Sequence, residues 1–352
     1  MASGQEGATT TADGVKRPVT IRAVAAHAGV SPSVVSFVLN DSQPVRPEKR
    51  ERVLAAVTEL GYEPSRAARS LRVNRTGTVG VLIPYLVNPT QAALAAAIEQ
   101  ALAGRDYLAV ICATGGREAR QRSYFRMLYA SRVDGLLVYP TSDMRADLEQ
   151  AAARGLPIVY VFRELPFDGR GADAVVVDHV SVVEAATERL LALGHRRIAL
   201  VTLPRDSISG PDRIEGYRRA HAALGVPVDA ELVMAGEGTV GGGYALTAAA
   251  LERRPAPTAL VVTTSPQMVG AVQAVQAAGR RVPDELSVVG SSPPVPLLPG
   301  LALSVWEYPT EAVAHRAVEL FFERLGAGPG LEPRRVVLRP ELQPGASIAP
   351  PA

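Results

Sequence analysis

Residues 18–40 carry the pattern that most restricts the fold of this chain: two short amphipathic segments separated by a glycine turn. Four apolar residues of the first segment recur at the spacing of one helical face: Ile21, Val24, Ala25 and Ala28. Thr20 is placed to cap this helix, and Gly29 is placed to end it. Ser31 and Pro32 then supply an N-cap and a first helical residue for the second segment. The sequence therefore predicts a helix-turn-helix.

The second predicted helix combines an apolar face with a polar rim. Its apolar residues are Val35, Val38 and Leu39, and the rim consists of Ser31, Ser33, Ser36 and Asn40. These small polar groups suit phosphates and base edges, and no acid among them would repel a polyanion. An ordinary helical hairpin has the same shape, so the pattern alone leaves both interpretations open.

A third amphipathic segment, residues 47–62, begins with Pro47 and ends at Gly61. Its apolar residues are Val53, Leu54, Val57 and Leu60. Three such helices can enclose a small core, as a helix-turn-helix headpiece requires. Charge favours the DNA interpretation, because residues 17–75 hold ten Lys and Arg against five Asp and Glu. With a chain total of +2, the remainder sums to −3, so basic charge is concentrated in this segment.

Three stretches carry a family resemblance: PVTIRAVAAHAGVSPSVVSFVLN, VRPEKRERVLAAVTELGYEPSRAARSLR and TVGVLIP. They resemble the LacI/GalR (lactose-repressor) family of bacterial transcription regulators, densely over residues 18–84 and more loosely to about residue 345. The resemblance implies a sequence-specific regulator, most often a repressor, that binds a pseudo-palindromic operator as a dimer and responds to a ligand. A periplasmic-type small-molecule binding protein without DNA output is the alternative, since it shares the body of this family.

The resemblance also implies which residues contact DNA. Pro32, Ser33 and Phe37 match base-facing positions, and Ser31, Ser36, Asn40, Lys49 and Tyr62 match phosphate-facing positions. The full predicted set is Thr20, Ser31, Pro32, Ser33, Val34, Ser36, Phe37, Asn40, Lys49, Tyr62, Arg69, Leu71 and Arg72. Phe37 departs from the family, in which most members carry an arginine that can bond to guanine. We therefore expect an operator whose half-sites differ at that base pair.

Residues 64–77 link the headpiece to the rest of the chain. Their four arginines and few large apolar residues are typical of a solvated linker. The resemblance implies instead a hinge helix over residues 65–72, in which Leu71 is wedged into the minor groove and Arg69 and Arg72 lie near phosphates.

From Thr78 onward, short β-branched strands alternate with helices. This pattern predicts parallel sheets covered on both faces. The predicted fold is a small all-α helix-turn-helix headpiece and an α/β periplasmic-binding-protein-like body of two parallel-sheet lobes, the second series of strands starting with AVVVDH (174–179). The predicted divisions are a disordered tail at 1–17, the headpiece at 18–63, the hinge at 64–77, the body at 78–345 and a tail at 346–352.

The ligand site of the body is predicted from the resemblance, at Asn88, Arg163, Arg213, Thr264 and Ser265. Arg213 matches the family's R-x-x-G-[FY] turn, whereas Thr264 and Ser265 replace its usual Asn-Asp pair. Carboxylates suited to sugar hydroxyls are therefore missing. Two hypotheses remain open: an anionic effector held by the two arginines, or a degenerate pocket without a small-molecule effector.

Other functional classes find little support in the sequence. The motifs of hydrolases, zinc proteases and P-loop proteins do not occur, and the five histidines lack metal-ligand spacing, so neither an enzyme nor a cofactor is expected. Cys112, the single cysteine, and the polar first 17 residues favour a cytoplasmic protein without membrane attachment. Some members of the LacI/GalR family form tetramers through leucine heptads at the end of the chain. This sequence ends without such heptads, so we predict a homodimer. GEGTVGGGY (236–244) is read as a flexible cleft loop rather than a phosphate cradle.

Overall fold

The computed structural model describes residues 19–62, 75–141, 144–165, 172–293, 296–328 and 330–352. The chain divides into two units, residues 1–76 and 77–352, and each is described by itself. The predicted tail at 1–17 and the predicted hinge helix, with Arg69, Leu71 and Arg72, lie outside the described residues.

The first unit contains three helices with the predicted caps: α1 (Ile21–Ala28), α2 (Pro32–Asn40) and α3 (Pro47–Leu60). The hydroxyls of Thr20 and Ser31 accept hydrogen bonds from the first turns of α1 and α2. Gly29 ends α1 in the left-handed conformation at φ 63°. A side chain at this position would also collide with the guanidinium of Arg52, which donates to the carbonyls of Ala28 and Gly29. Only glycine fits both requirements.

A small apolar core holds the three helices together. One fully buried residue comes from each helix, namely Val24, Val35 and Val53. Helices α1 and α2 meet at a bend of 102°, which gives the helix-turn-helix its angular shape. The predicted all-α headpiece is confirmed.

The second unit consists of two lobes, each built on a six-stranded sheet. Along the chain its elements are β1 (Thr78–Ile83), α4 (Pro89–Ala103), β2 (Leu108–Ala113), α5 (Glu118–Ala130), β3 (Gly135–Val138), α6 (Arg145–Ala153), β4 (Ile158–Phe162), β5 (Ala172–Val177), α7 (His179–Ala192), β6 (Ile198–Thr202), α8 (Gly210–Ala223), β7 (Val233–Ala235), α9 (Val240–Leu251), β8 (Ala259–Val262), α10 (Ser265–Ala277), β9 (Ser287–Ser291), β10 (Ser304–Glu307), α11 (Thr310–Ala327), β11 (Arg335–Leu338) and β12 (Glu341–Gln343). The predicted alternation of strands and helices is confirmed.

The sheet of the first lobe has the strand order β11-β5-β4-β3-β1-β2, and all its described pairings are parallel. Apolar residues fill both of its faces. Along β1, Val79, Val81 and Ile83 enter one core cluster together with α4 and α11, whereas Leu82 enters the cluster on the other face. The two-residue period of the strand thus divides one apolar run between two cores.

The sheet of the second lobe has the order β12-β10-β9-β8-β6-β7. Its last strand, β12, runs antiparallel to β10, which the prediction of parallel sheets did not include. Glycines set the spacing of two helices on this lobe. A Cβ on Gly243 of α9 or Gly270 of α10 would come within 2.5 Å of the partner helix's backbone. The expectation of a flexible loop at 236–244 was therefore wrong from Val240 onward, where these glycines begin a packed helix.

The chain passes between the lobes after β5, after β10 and after β11. The sequence analysis assigned β5 to the second series, but it pairs with β4 and β11 in the first sheet. The reason lies in β11, a strand more than 150 residues later that supplies the outer edge of this sheet. Consequently, neither lobe is a continuous stretch of sequence.

One buried charge cluster joins the elements at this edge of the first sheet. Asp173 of β5 is fully buried and accepts from Arg324 of α11 at 2.7 and 3.1 Å. Its oxygens also accept from the guanidinium and the backbone N–H of Arg334, each at 2.8 Å. Burial alone would raise the pKa of Asp173, but these hydrogen bonds hold it below its ordinary value. The cluster therefore fastens the late segment of the chain onto the first lobe.

Residues 346–352 differ from the predicted tail, because they pack on the second lobe. Ser347 is fully buried; its hydroxyl donates to the Val288 carbonyl at 2.6 Å and accepts from the Ser304 N–H at 2.7 Å. The carbonyl of Ala349 lies 2.8 Å from Nε2 of His195. Backbone polar groups of the sheet thus form hydrogen bonds with this segment, and His195 helps to hold it in place.

In the described part of the chain, no single helix is long and apolar enough to cross a membrane. Only α1 and α2 taken together reach the required length and composition, across their 102° bend. Within the same residues, no group of three or more His, Cys, Asp or Glu side chains is placed to hold a metal ion.

Candidate functional site

The exposed side of α2 carries most of the predicted base-facing residues. Ser31, Pro32 and Ser33 at its start are exposed, and Val34 and Phe37 are half-buried. The opposite side of the helix is fixed in the core by Val35 and Val38. The start of α2 therefore presents small, exposed side chains, whereas the opposite side of the helix is held in the core.

The predicted phosphate-facing residues do not all share this exposure. Lys49 is exposed, as is the N-cap Thr20, and Tyr62 is half-buried against the core. Ser36 was predicted on the polar rim of α2, but it is only 6 % exposed. The side chain of Asn40 lies outside the described part of the structure.

Cationic side chains without a carboxylate partner add to this surface. Arg22, Arg46 and Lys49 are exposed. Within the described residues, none of the three forms an ion pair. By contrast, Arg50 is bound by Asp41 at 2.7 Å. The sequence analysis omitted Arg22 and Arg46, since their lack of a partner becomes visible only in the folded headpiece.

In the second unit, a polar cluster forms where the chain crosses between the lobes. Arg213 of α8 is 5 % exposed; its guanidinium donates to the Ser209 hydroxyl at 3.0 Å and lies 3.5 Å from the hydroxyl of Tyr308. That hydroxyl also lies 3.5 Å from Nδ1 of His179, the first residue of α7, and 3.5 Å from the Thr263 carbonyl. Tyr308 thus brings together groups from three other segments of the chain.

Arg163 approaches the same cluster from the end of β4. Its guanidinium lies 4.7 Å from the ring centre of Tyr139 and donates to the Pro140 carbonyl at 2.6 Å. The preceding residue, Phe162, has a φ of 71°, a strained conformation for an aromatic residue. Its ring packs against Tyr139 at 5.5 Å and against Tyr308 at 5.1 Å. We refer to Arg163, His179, Arg213 and Tyr308 as the junction cluster.

The junction cluster has an excess of positive charge. Neither Arg163 nor Arg213 forms an ion pair with any carboxylate in the described part of the chain. Burial lowers the pKa of Arg163, and the charge of Arg213 lowers it further. Burial, followed by the charges of Arg213 and Arg163, holds the pKa of His179 well below its ordinary value. His179 is therefore neutral beside two guanidinium groups.

Two buried nitrogen atoms of the cluster, Nε2 of His179 and Nε of Arg213, have no hydrogen-bond partner among the residues that the structure describes. A buried polar group without a partner is costly, so such atoms need an explanation. A ligand with acceptor oxygens would supply the missing bonds. The sequence analysis did not include His179 or Tyr308 among the ligand-binding residues, because nothing in their local sequence indicates these contacts.

The other predicted effector residues serve as helix caps. Asn88 accepts from the first N–H groups of α4, and Thr264 accepts from the Gln267 N–H in α10. Ser265 of the second lobe lies 3.4 Å from the Thr90 hydroxyl of the first lobe. The lobes are therefore close together at this point, and these residues do not meet the junction cluster in any described contact.

A cavity of about 790 Å³ adjoins the cluster and is open on one side. Arg163 and His179 line it, together with Glu164, Asp178 and Asp212. Of the predicted effector residues, only Arg163 borders this space. The free volume thus lies beside Arg163 and His179 rather than between Asn88 and Ser265.

Each of the two units contains a region that matches a known protein family. Residues 20–65 match the model of the bacterial regulatory proteins of the lacI family, and residues 187–348 match that of the periplasmic binding protein-like domain. The transcriptional regulator CelR of Thermobifida fusca is 33 % identical over 344 residues, covering 93 % of this chain and 97 % of CelR.

Solved structures agree with the sequence relatives. A CelR–cellobiose complex superposes with a TM-score of 0.70 at 31 % identity, covering 94 % of this chain and all of that one. The Lac repressor dimer bound to operator and the anti-inducer ONPF gives a TM-score of 0.82 at 25 % identity, over 95 % of this chain and all of that one. The headpiece, the two lobes and this similarity over nearly the whole length together show that the chain belongs to the lacI family of bacterial regulatory proteins, as a ligand-modulated, DNA-binding transcriptional regulator.

Proposed function

We propose that this regulator responds to an anionic effector bound at the junction of its two lobes. The proposal depends on one observation. The guanidinium groups of Arg163 and Arg213 both belong to the junction cluster, and neither has a carboxylate partner among the described residues. A buried cation is costly when nothing neutralises it. An anion between the lobes would relieve that cost, so its binding energy would be available to change their arrangement.

The cellobiose of the CelR complex is a neutral sugar, and a different ligand is expected here. The side chains of Thr264 and Ser265 offer hydroxyls where the family usually carries an Asn-Asp pair, and the Ser265 hydroxyl lies 3.1 Å from that of Ser291. Hydroxyl groups of these residues already bond to one another or cap helices. This arrangement favours a charged ligand over a polyol held by carboxylates.

A thermal-shift screen tests the anion. Phosphorylated sugars and organic acids are compared with cellobiose, at matched ionic strength set with potassium chloride. We expect an anion at about 100 Kd to stabilise the folded protein by about 2.7 kcal/mol, visible as a higher Tm. A shift with cellobiose and none with the anions would contradict the proposal. No shift with any ligand would favour the degenerate pocket, in which no small-molecule effector binds.

We also propose the DNA surface. The exposed start of α2, with Ser31, Pro32 and Ser33, supplies base and backbone contacts, and Arg22, Arg46 and Lys49 supply charge for phosphates. Among the other predicted DNA contacts, Thr20, Val34, Asn40, Tyr62, Arg69, Leu71 and Arg72 remain proposals. Ser36 is omitted, since its side chain is buried. DNA upstream of the protein's own gene is the first probe, and its affinity should fall steeply with added salt.

Phe37 is expected to set the operator base that distinguishes this protein from its relatives. Replacing Phe37→Arg should introduce a preference for G·C at one base pair of each half-site, worth about 1–3 kcal/mol, because arginine bonds bidentately to guanine. Selection from a library of randomised operators measures this, with Phe37→Leu as the apolar control. An unchanged profile in the arginine variant, shown by circular dichroism to be folded, would refute the assignment.

The functional molecule is proposed to be a cytoplasmic homodimer without catalytic activity. The solved Lac repressor dimer on its operator supports the dimer, since two headpieces then match the two halves of a pseudo-palindrome. Coupling would follow from linkage: a ligand that binds one lobe arrangement more tightly shifts the population, and DNA affinity changes with it. Sedimentation equilibrium tests the oligomeric state.

A further inference from the structure

We propose that His179 is the third anion-binding group of the junction, and that the effector is a doubly charged oxyanion whose binding brings one proton onto this histidine. The inference rests on the proposed function, because it requires an anion at the junction. It assigns a residue outside the predicted ligand set and narrows the ligand to phosphate monoesters and their analogues.

The geometry supports a direct role for His179. Its ring is 3 % exposed, packs at 5.5 Å from the Tyr308 ring and at 6.3 Å from that of Phe162, and borders the 790 Å³ cavity together with Arg163. Its Nε2 has no partner in the described structure. It is also the first residue of the 14-residue helix α7, whose N-terminus carries partial positive charge. An oxyanion in the cavity could therefore accept a hydrogen bond from the ring and interact with Arg163.

The charges around His179 explain why the proton would come with the ligand. In the free protein, burial and the two guanidinium groups keep the ring neutral at pH 7. A dianion in the cavity beside Arg163 and His179 would offset the charges of the two guanidinium groups and would favour the protonated form of the imidazole. The pKa of His179 would then rise on binding, so the complex would hold one proton more than the free protein.

Other charged groups line the same cavity as His179, and several of them are already engaged. Asp178 caps α7 by accepting from the Ser181 N–H at 3.0 Å, and its carboxylate lies 3.6 Å from Arg339. Glu164 is bound by Arg335 at 2.6 Å. Asp212 is exposed on α8 beside Arg213. Glu184 of α7 and Arg219 of α8 also line the cavity, and Arg219 is bound by Glu215 at 2.8 Å. Arg163 and Arg213 are therefore the cations near His179 that form no ion pair in the described structure.

The sign of the pH dependence follows. Above the pKa of the complex, His179 is neutral in both states, and affinity does not depend on pH. Below that pKa and above that of the free protein, each pH unit downward should strengthen binding by up to about tenfold. A carboxylate monoanion would cancel less charge and should show weaker binding and less proton uptake.

Isothermal titration calorimetry with the full chain tests the inference. Sulfate is the main probe, since it stays a dianion between about pH 6 and 8, where histidine titrates. Glucose 6-phosphate at the upper end of this range represents the phosphate monoesters, and acetate represents the monoanions. Titrations in two buffers of different ionisation enthalpy give the number of protons taken up. His179→Gln is compared with His221→Gln, which changes a buried histidine of α8 outside the junction cluster.

We expect sulfate and glucose 6-phosphate to bind more tightly than acetate, with up to about one proton taken up per sulfate. His179→Gln should remove the proton uptake and the pH dependence while leaving some binding, and His221→Gln should retain both. Sulfate binding without proton uptake, or proton uptake that survives in His179→Gln, would overturn the role of His179 and leave the anionic effector standing. Failure of all three anions to bind would overturn both proposals.

Discussion

Replacing Asp173→Asn should lower the free energy of unfolding by about 3–5 kcal/mol, because it leaves Arg324 buried without its counter-charge. The same change removes the acceptor charge for Arg334, so the segment leading to β11 loses its attachment. The melting temperature should fall by on the order of 10 °C for a unit of this size. Urea and thermal unfolding of the wild type and the variant provide the measurement.

The matched control for this prediction is Glu215→Gln, which breaks an ion pair of 2.8 Å on the surface of α8. Exposed pairs of this kind contribute little, so its melting temperature should not change measurably. Acid provides a second check: the contribution of Asp173 is fully present above the ordinary aspartate range and is lost as the pH falls through its lowered pKa. An Asp173→Asn variant as stable as the wild type would show that the cluster does not fasten β11.

The second large effect is expected at Arg213. Replacing Arg213→Gln should weaken anion binding by about 2–5 kcal/mol, the usual cost of removing one partner of a desolvated charge pair. Stability without ligand should not fall, because the change removes a buried charge that has no counter-ion in the described structure. Calorimetry with sulfate and thermal unfolding without it measure the two effects separately.

Arg218→Gln is the control, since Arg218 is exposed on the same helix and takes no part in the junction cluster. It should retain both the affinity and the melting temperature of the wild type. Two results would contradict the prediction: undiminished sulfate binding by Arg213→Gln, or a large loss of stability without ligand. The second would mean that Arg213 is a structural residue, held by Ser209 and Tyr308 rather than awaiting an anion.

Local signals in the sequence predicted the headpiece well. Thr20, Ser31, Gly29 and Gly61 mark helix ends through interactions within one turn, and the structure places the ends of α1, α2 and α3 at these residues or next to them. Ser36 shows the limit of this approach. Its position on the polar rim was inferred from residue type, whereas in the folded unit the residue is only 6 % exposed.

Features that depend on distant parts of the chain were beyond the sequence. β5 belongs to the first lobe because it pairs with β11. Residues 346–352 pack on the second lobe because they form hydrogen bonds with Ser287, Val288 and Ser304. The ligand site shows the same limit. Arg163 and Arg213 were found by resemblance, whereas His179 joins them only because α7 begins at the crossing between the lobes. The predicted contacts of Asn88, Thr264 and Ser265 with an effector remain predictions.

Asp173 is separated in sequence from its two arginines, and this separation affects the order in which the two lobes fold during synthesis on the ribosome. Arg324 and Arg334 lie 151 and 161 residues after Asp173. At bacterial rates of about 5–20 residues per second, roughly 10–30 s pass before both partners have been synthesised. During this interval the first lobe lacks its edge strand and the counter-charges for an acid destined for burial. The second lobe, whose first five strands follow without interruption, has its main sheet complete earlier. Nascent-chain proteolysis should therefore find the N-terminal lobe protected last.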